Sequence, residues 1–118
     1  MPSRFAQAVT ERVLVFDGAM GTSIHKCDCD LHRDYLGREN CPEALLLTRP
    51  ELIQSIHESF LAIGADVVET NTFGGSMHVL ADNDLADRTR EINRIAASAA
   101  RKACAKFTDR ARFVAGSM

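Results

Sequence analysis

The stretch Val13-Leu14-Val15-Phe16-Asp17-Gly18-Ala19-Met20-Gly21-Thr22 decides the fold. Its first four residues are apolar, and three of them are β-branched or aromatic, which is typical of a buried strand. An acid and two glycines follow, and they predict a tight loop just past the strand. Ligands bind at the carboxyl ends of strands in α/β proteins, so we expect a carboxylate and free backbone N–H groups at a binding site here.

The same pattern, an apolar strand followed by polar residues, recurs along the chain. The first strand is predicted at residues 13–16 and a second at residues 66–70, which runs into Glu69-Thr70-Asn71-Thr72. A third strand is predicted at residues 112–115. The helices predicted between them are long enough to be crossovers, so the strands should be parallel and the fold class α/β.

Apolar residues at helical spacing predict one helix from about residue 50 to residue 63 and a longer one at residues 85–107. Thr48 and Glu51 have the spacing of a capping box, and Pro50 suits the first turn. Gly64 is placed to end the first of these helices with a positive φ. Shorter helical segments are predicted at residues 3–11, 20–25 and 76–80.

The composition narrows the class of protein. The chain has 118 residues, the size of one domain, and a formal net charge of −2, which predicts neither a nucleic-acid partner nor a membrane partner. The apolar run near the N-terminus is too short for a signal peptide or a membrane span. Four cysteines without a secretion signal are interpreted as reduced thiols, and a cytoplasmic location is expected.

The predicted strands also indicate an incomplete fold. All three are apolar on both faces and need cover on both sides, yet the two crossover helices lie on one face. Both edges of the sheet would stay open, which favours aggregation. A (β/α)8 barrel takes about 250 residues. We therefore expect a partial (β/α)8 TIM barrel, one incomplete domain over residues 1–118 with about the first three strands, and we expect the isolated chain to pack poorly or self-associate.

Several motifs stand in the order of a known family. They are Phe16-Asp17-Gly18-Ala19-Met20-Gly21-Thr22, Asp34-Tyr35-Leu36-Gly37, Glu39-Asn40-Cys41-Pro42-Glu43 and Gly64-Ala65-Asp66-Val67-Val68-Glu69-Thr70-Asn71-Thr72-Phe73. The chain resembles the N-terminal part of the homocysteine-binding domain in the homocysteine S-methyltransferase family, and within it the cobalamin-dependent methionine synthase type. The resemblance covers nearly the whole chain.

The resemblance implies a (β/α)8 barrel that binds homocysteine and transfers a methyl group to its thiol, giving methionine. It further implies a zinc ion, held by three cysteine thiolates, that keeps the homocysteine sulfur as thiolate. The methyl group would come from methylcobalamin, recharged by methyltetrahydrofolate. The family's zinc cysteines lie on later strands, and none of Cys27, Cys29, Cys41 and Cys104 matches them, so the isolated chain is expected to be inactive.

The candidate substrate-binding residues follow the first two strands. Asp17 can bind the α-ammonium group of homocysteine, and the N–H groups of Gly18, Ala19 and Met20 can meet its carboxylate. The alternative is that Asp17-Gly18 is ordinary turn chemistry. A phosphate-binding loop is excluded by residue type, because the glycines are followed by neither lysine nor a third glycine.

Asn71 and Thr72 are the second pair of candidates. The Asn71 amide can pair with either charged group of the substrate. Equally, Asn71 and Thr72 can satisfy loop backbone or cap a short helix. Glu69 can belong to the site or to a structural hydrogen-bond network.

Two other functions stay open from the sequence. The chain can be a catalytically inactive remnant or binding module, or a small metal-binding interaction protein that uses His25, Cys27, Cys29 and His32. Three further residues are given structural roles. His57 is predicted at the surface, Cys104 in the core, and Cys41 buried near the barrel mouth.

Overall fold

The computed structural model describes residues 2–117. This part of the chain forms six α-helices, two 3-10 turns and two strands. In order they are α1 (Arg4–Glu11), α2 (Met20–His25), a 3-10 turn (Pro42–Ala44), α3 (Leu45–Thr48), α4 (Pro50–Ala62), β1 (Val67–Glu69), α5 (Met77–Ala81), a second 3-10 turn (Ala86–Arg88), α6 (Thr89–Ala105) and β2 (Phe113–Ala115).

The two strands pair in parallel, as predicted. Val67 lies opposite Phe113 and Glu69 opposite Ala115, with α6 in the connection between the strands. Parallel strands need such a crossover, because a tight turn reverses the chain and would make the two strands antiparallel. The fold is therefore α/β with a parallel sheet, and both strands fall within the predicted ranges.

The prediction of a regular strand at residues 13–16 was wrong. Only Phe16 forms a parallel bridge, to Val67, although the Val15 carbonyl accepts the N–H groups of Asp66 (2.7 Å) and Val67 (3.1 Å). Val13 is 86% exposed and Val15 54% exposed. The segment runs alongside β1 but lacks apolar cover. β-branched residues form stable strands only when their side chains pack against neighbours.

Helix α4 begins at Pro50, as expected, but without the predicted capping box. Its N-cap residue is Arg49, which makes no capping hydrogen bond through its side chain. The Thr48 hydroxyl instead donates to the carbonyls of Asp34 and Ala44. Gly64 follows the helix with φ +115°, which confirms its predicted role at the C-terminal end.

Helices α4 and α6 pack against each other and form the core of the described residues. Alanines on α6 are fully or almost fully buried, which allows the two helices to approach closely; they are Ala96, Ala99, Ala100 and Ala103. Two apolar clusters result. The larger one lies around Leu45, Ile53 and Ile92, and the smaller one lies around Leu61 and Val68.

The structure corrects the prediction for His57, which is fully buried rather than on the surface. His57 stands one turn from both Ile53 and Leu61, and all three share the buried stripe of α4. The predictions for Cys41 and Cys104 agree more closely with the structure. Cys41 is buried at 2% exposure, and Cys104 is half-buried against the smaller apolar cluster.

Several large apolar side chains are exposed to solvent. Phe73 and Ile63 are more than four-fifths exposed, as is Val13. The exposure of Val13 agrees with the expectation that residues 13–16 need apolar cover on both faces, and self-association of the isolated chain stays a prediction. Across residues 2–117, every helix is too short or too polar to cross a membrane.

Candidate functional site

The residues that follow the strands meet at one edge of the sheet. β1 ends at Glu69 and β2 at Ala115, and residues 13–16 run parallel to β1 and end beside it. Beyond these ends lies a cleft of about 580 Å³, lined in part by Asp17, Asn71 and Glu43 of the first 3-10 turn. This carboxyl edge is where parallel α/β proteins bind their ligands.

Asp17 is the acid on which the predicted site rests. Its N–H donates to the Val67 carbonyl at 2.9 Å, and its carboxylate oxygens accept from the Glu69 N–H at 3.2 and 3.3 Å. Burial raises the pKa of Asp17 to about 6; the Glu69 N–H opposes this rise and the Glu69 carboxylate adds to it. No cation among residues 2–117 pairs with Asp17. The carboxylate is thus fixed in place and lacks a positive partner.

The predicted N–H donors stand beside Asp17 at the start of α2. Gly18, Ala19 and Met20 all line the cleft, and none of their N–H groups donates to another residue within 2–117. Gly18 is also needed for packing, because a Cβ there would lie 3.0 Å from the Phe60 ring. The three N–H groups are therefore available as hydrogen-bond donors for a ligand.

Asn71 and Thr72 differ in their relation to the cleft. Asn71 lines it, but its Nδ2 donates to the Pro42 carbonyl at 3.2 Å. Thr72 is buried within the loop, where its hydroxyl donates to the Ser117 carbonyl at 2.8 Å and bonds the Thr70 hydroxyl at 2.7 Å. These contacts match the alternative interpretation, in which both side chains satisfy loop backbone.

Glu43 lines the cleft and was missed by the sequence reasoning. It is 4% exposed, and its Oε1 accepts the Gly74 N–H at 2.7 Å. Its signal in the sequence was a single acid next to the apolar run of residues 44–47. A charged side chain in such a position is rarely buried without a specific partner.

The charges around the cleft share one sign. Three carboxylates line it, those of Asp17, Glu43 and Glu69, whereas no Lys, Arg or His is among its described lining residues. A cleft with this charge favours a cationic group, and anions find only backbone N–H donors. The arrangement suits a zwitterion whose ammonium is attracted by this negative charge.

The structure does not gather the histidines and cysteines of residues 25–32 into a metal site. Within residues 2–117, no group of three or more His, Cys, Asp or Glu side chains is placed to hold a metal ion. His25 and Cys29 instead line a separate cavity of about 230 Å³. Burial raises the pKa of the Cys29 thiol, and the nearby Asp34 carboxylate adds to the rise.

An α/β chain whose parallel strands end at an acidic cleft has the architecture of the substrate-binding part of an α/β enzyme domain. More specifically, the chain belongs to the homocysteine S-methyltransferase family, whose model matches residues 14–118. The resemblance inferred from the motifs is thereby confirmed.

Two curated relatives are methionine synthases. The chain is 43% identical over 112 residues to the methionine synthase of Mycobacterium tuberculosis (strain ATCC 25618 / H37Rv), and this match covers 93% of the chain. It is 40% identical over 114 residues to that of Mycobacterium leprae (strain TN), with 95% of the chain covered. In both comparisons the chain spans only 9% of the relative's length.

A solved structure shares the fold. The crystal structure of the homocysteine methyltransferase MmuM from Escherichia coli, in its metallated form, matches with a TM-score of 0.76. The sequence identity is 22%, and the match covers 97% of this chain and 40% of that one. At this identity the likeness concerns the fold.

Proposed function

We propose that this chain is the N-terminal part of the homocysteine-binding domain of a homocysteine S-methyltransferase of the methionine synthase type. Such an enzyme transfers a methyl group to the thiol of homocysteine and gives methionine. The observation that carries the proposal is the cleft, where, among residues 2–117, a carboxylate without a cation stands beside backbone N–H groups without acceptors. Family membership and 40–43% identity to methionine synthases support this choice of substrate.

In this proposal Asp17 anchors the α-ammonium group of homocysteine. A charge-assisted hydrogen bond to an ammonium suits an ionised carboxylate that is already fixed by the Glu69 N–H. The raised pKa of Asp17, about 6, supports the role, because an arriving cation offsets the burial that disfavours the charge. Binding should therefore lower the pKa of Asp17 and weaken as the pH falls below 6.

The carboxylate of homocysteine is assigned to the backbone donors of Gly18, Ala19 and Met20. These donors form the neutral part of an otherwise acidic cleft, so an anion avoids the carboxylates by lying there. Asn71 is assigned to the same ligand through its amide oxygen, because its Nδ2 already serves Pro42. Thr72 completes the proposed site by fixing the loop on which Asn71 stands.

The proposed domain is a (β/α)8 barrel, of which this chain supplies the first strands. Parallel pairing of β1 with β2, the parallel bridge of Phe16 to Val67, and the fold shared with 40% of MmuM support it. The exposed apolar residues near Val13 are then surfaces that the remaining strands cover.

Zinc, methylcobalamin and methyltetrahydrofolate belong to the proposal at the level of the family. The cysteines of this chain do not fit a zinc site, because within residues 2–117 they lie in no group of three or more possible ligands; the Cys41 thiol instead faces Glu43 and the Cys104 thiol faces the Phe113 carbonyl. Burial raises the pKa of both thiols and favours the protonated form, which does not bind zinc. We therefore assign the ion to residues outside this chain, and to this chain the amino-acid end of the ligand.

A titration followed by ¹H–¹⁵N NMR tests the binding role. L-Homocysteine should shift the amides of residues 17–20 with a Kd on the order of 1 mM. The analogue 4-mercaptobutyrate, which keeps the thiol and the carboxylate but lacks the ammonium, should bind at least about tenfold more weakly. Asp17→Asn should lower the affinity for homocysteine by a similar factor.

Asp87→Asn is the matched control, because Asp87 is an exposed acid outside the cleft, and it should leave binding unchanged. Equal binding of homocysteine and 4-mercaptobutyrate would contradict an ammonium anchor. Shifts confined to residues outside the cleft would contradict the site itself.

A further inference from the structure

The loop of residues 71–76 forms one wall of the cleft, and two side chains hold it. Glu43 Oε1 accepts the Gly74 N–H at 2.7 Å on the side of the cleft. On the other side, Asn93 Nδ2 donates to the Gly75 carbonyl at 2.8 Å, which ties the loop to α6. Because the loop carries Asn71, these two contacts help to set where Asn71 stands, together with the bond from the Thr72 hydroxyl to the Ser117 carbonyl.

Glu43 is an unusual residue for this purpose. It is 4% exposed, and no cation among the described residues pairs with it. Burial of an unpaired carboxylate costs free energy unless hydrogen bonds hold the charge. The 2.7 Å distance to the Gly74 nitrogen lies at the short end for a charge-assisted bond, and the Cys41 thiol approaches the other oxygen at 3.9 Å.

A second contact joins the same two segments in the opposite direction. The Asn71 side chain donates to the Pro42 carbonyl at 3.2 Å, directly before Glu43 in the chain. Each segment thus binds the other's backbone through one side chain. Gly74 makes the approach possible, because a Cβ there would lie 3.0 Å from Glu43 Oε1 and 3.2 Å from Val79.

We propose that Glu43 is a positioning residue that clamps the loop of residues 71–76 and so gives the cleft the shape that an amino-acid ligand needs. Glu43 acts through Gly74 and does not itself touch the ligand. The inference rests on the proposed function in one respect, that the ligand used to test it is homocysteine.

The test compares four variants with the unmodified chain by NMR titration with L-homocysteine. Glu43→Ala should weaken binding about tenfold, the size of one lost hydrogen bond to a charged group. Glu43→Gln should stay within about twofold, because its carbonyl oxygen still accepts the Gly74 N–H. Gly74→Ala should resemble Glu43→Ala, and the double variant Glu43→Ala/Gly74→Ala should be no weaker than either alone.

The resonance of the Gly74 amide proton reports the clamp without any ligand. It should move upfield in Glu43→Ala and stay close to its original position in Glu43→Gln, and the loop amides should exchange faster with solvent in Glu43→Ala alone. Glu51→Ala, which removes an exposed acid from α4, is the control and should change neither reading.

Three results would overturn the clamp. They are homocysteine affinity that survives Glu43→Ala, a loss in Glu43→Gln as large as in Glu43→Ala, which would mean direct contact with the ligand, and losses that add in the double variant. If Glu43→Ala fails to fold, Gly74→Ala carries the same comparison with Glu43→Gln. A chain that does not bind homocysteine at all contradicts the proposed function. The Gly74 resonance then decides the clamp, in favour if it moves upfield only in Glu43→Ala and against if it does not move.

Discussion

Two aspartates stand at opposite ends of the same parallel strands, and their surroundings differ. Asp66, just before β1, is 2% exposed and accepts hydrogen bonds from the Val15 N–H, Arg12 and Arg110 at 2.9–3.0 Å. Burial alone would raise its pKa, but these donors outweigh burial and lower it to about 2. Asp17, at the carboxyl edge, accepts one backbone N–H and pairs with no cation among the described residues, and its pKa rises to about 6.

The two environments suggest different roles, stabilisation of the fold for Asp66 and ligand binding for Asp17. At the amino edge the carboxylate is paired, and it ties the segment before residue 17 to β1. At the carboxyl edge no cation within residues 2–117 pairs with the carboxylate, so its charge destabilises the free protein, which agrees with the ligand-binding role that we propose for Asp17. This is the division expected of parallel α/β folds, whose ligands bind at the carboxyl edge.

The largest effect is expected when the paired acid is removed. Asp66→Asn should lower the free energy of unfolding at pH 7 by about 2–4 kcal/mol, because Arg12 and Arg110 lose their partner and Val15 its charged acceptor. The folded pKa lies below the unfolded value of about 4, so the stabilisation is present above pH 4 and is lost as the pH falls towards 2. Urea denaturation across this range measures it.

Asp109→Asn serves as the comparison for Asp66→Asn. Asp109 also contacts two arginines, Arg110 and Arg112, but its side chain is 57% exposed. The Arg110 pair is partly exposed on both sides, and Arg112, although only 4% exposed, still donates to the Leu61 and Ala65 carbonyls when Asp109 is changed. The denaturation midpoint should therefore move much less than in Asp66→Asn. Equal losses in the two variants would mean that burial of Asp66 does not matter.

His57, like Asp17, is an ionisable side chain whose charged form is disfavoured by burial, but it lies outside the cleft. A His57 variant therefore shows whether a shifted pKa alone indicates a binding role. Burial lowers its pKa to about 4, and both ring nitrogens lack hydrogen-bond partners within residues 2–117. Because the unfolded chain binds a proton near pH 6.5 and the folded chain does not, stability falls as the pH drops from 6.5 to 4. His57→Leu should abolish this fall and raise the free energy of unfolding by about 2 kcal/mol at pH 5, with homocysteine binding unchanged. A loss of binding would place His57 in the site.

A smaller effect is expected at Asp17. Asp17→Asn should raise the free energy of unfolding by about 1 kcal/mol above pH 6, with allowance for the partial exposure of the side chain. The folded pKa is higher than the unfolded one, so the ionised form costs stability; the gain should vanish below about pH 4, where the side chain is neutral in both states. Denaturation at pH 4 and pH 7.5 gives the comparison. A loss of stability at pH 7.5 would place Asp17 with the structural acids.

These contrasts also explain which features the sequence predicts. Helices α4 and α6 and strands β1 and β2 follow from local patterns of apolar residues, and Gly64 from its own conformational freedom. Residues 13–16 have the same local pattern as a strand, but a strand also needs neighbours to cover it. The predicted capping box is absent for a similar reason, because the Thr48 hydroxyl bonds the carbonyl of Asp34, which is distant in sequence.

The site divides in the same way. Asp17 and the N–H groups after it follow from a strand that runs into a glycine loop, and their place at the cleft was predictable. The place of Glu43 at the cleft was not predictable, because its burial depends on Gly74, which lies 31 residues further along the chain. His57 was assigned to the polar face of its helix, whereas its position one turn from both Ile53 and Leu61 places it in the buried stripe.

The smallest effect concerns the neighbour that helps to set the pKa of Asp17. Burial is the main cause of the raised pKa, and the Glu69 carboxylate adds to it while the Glu69 N–H acts against it. Glu69→Gln removes the carboxylate and keeps the N–H, so the pKa of Asp17 should move down from about 6, yet stay above its ordinary value because burial remains. A pH titration of the Asp17 carboxyl ¹³C resonance measures this. A return to the ordinary value would make charge repulsion, and not burial, the main cause, and the contrast with Asp66 would then be one of neighbouring charges.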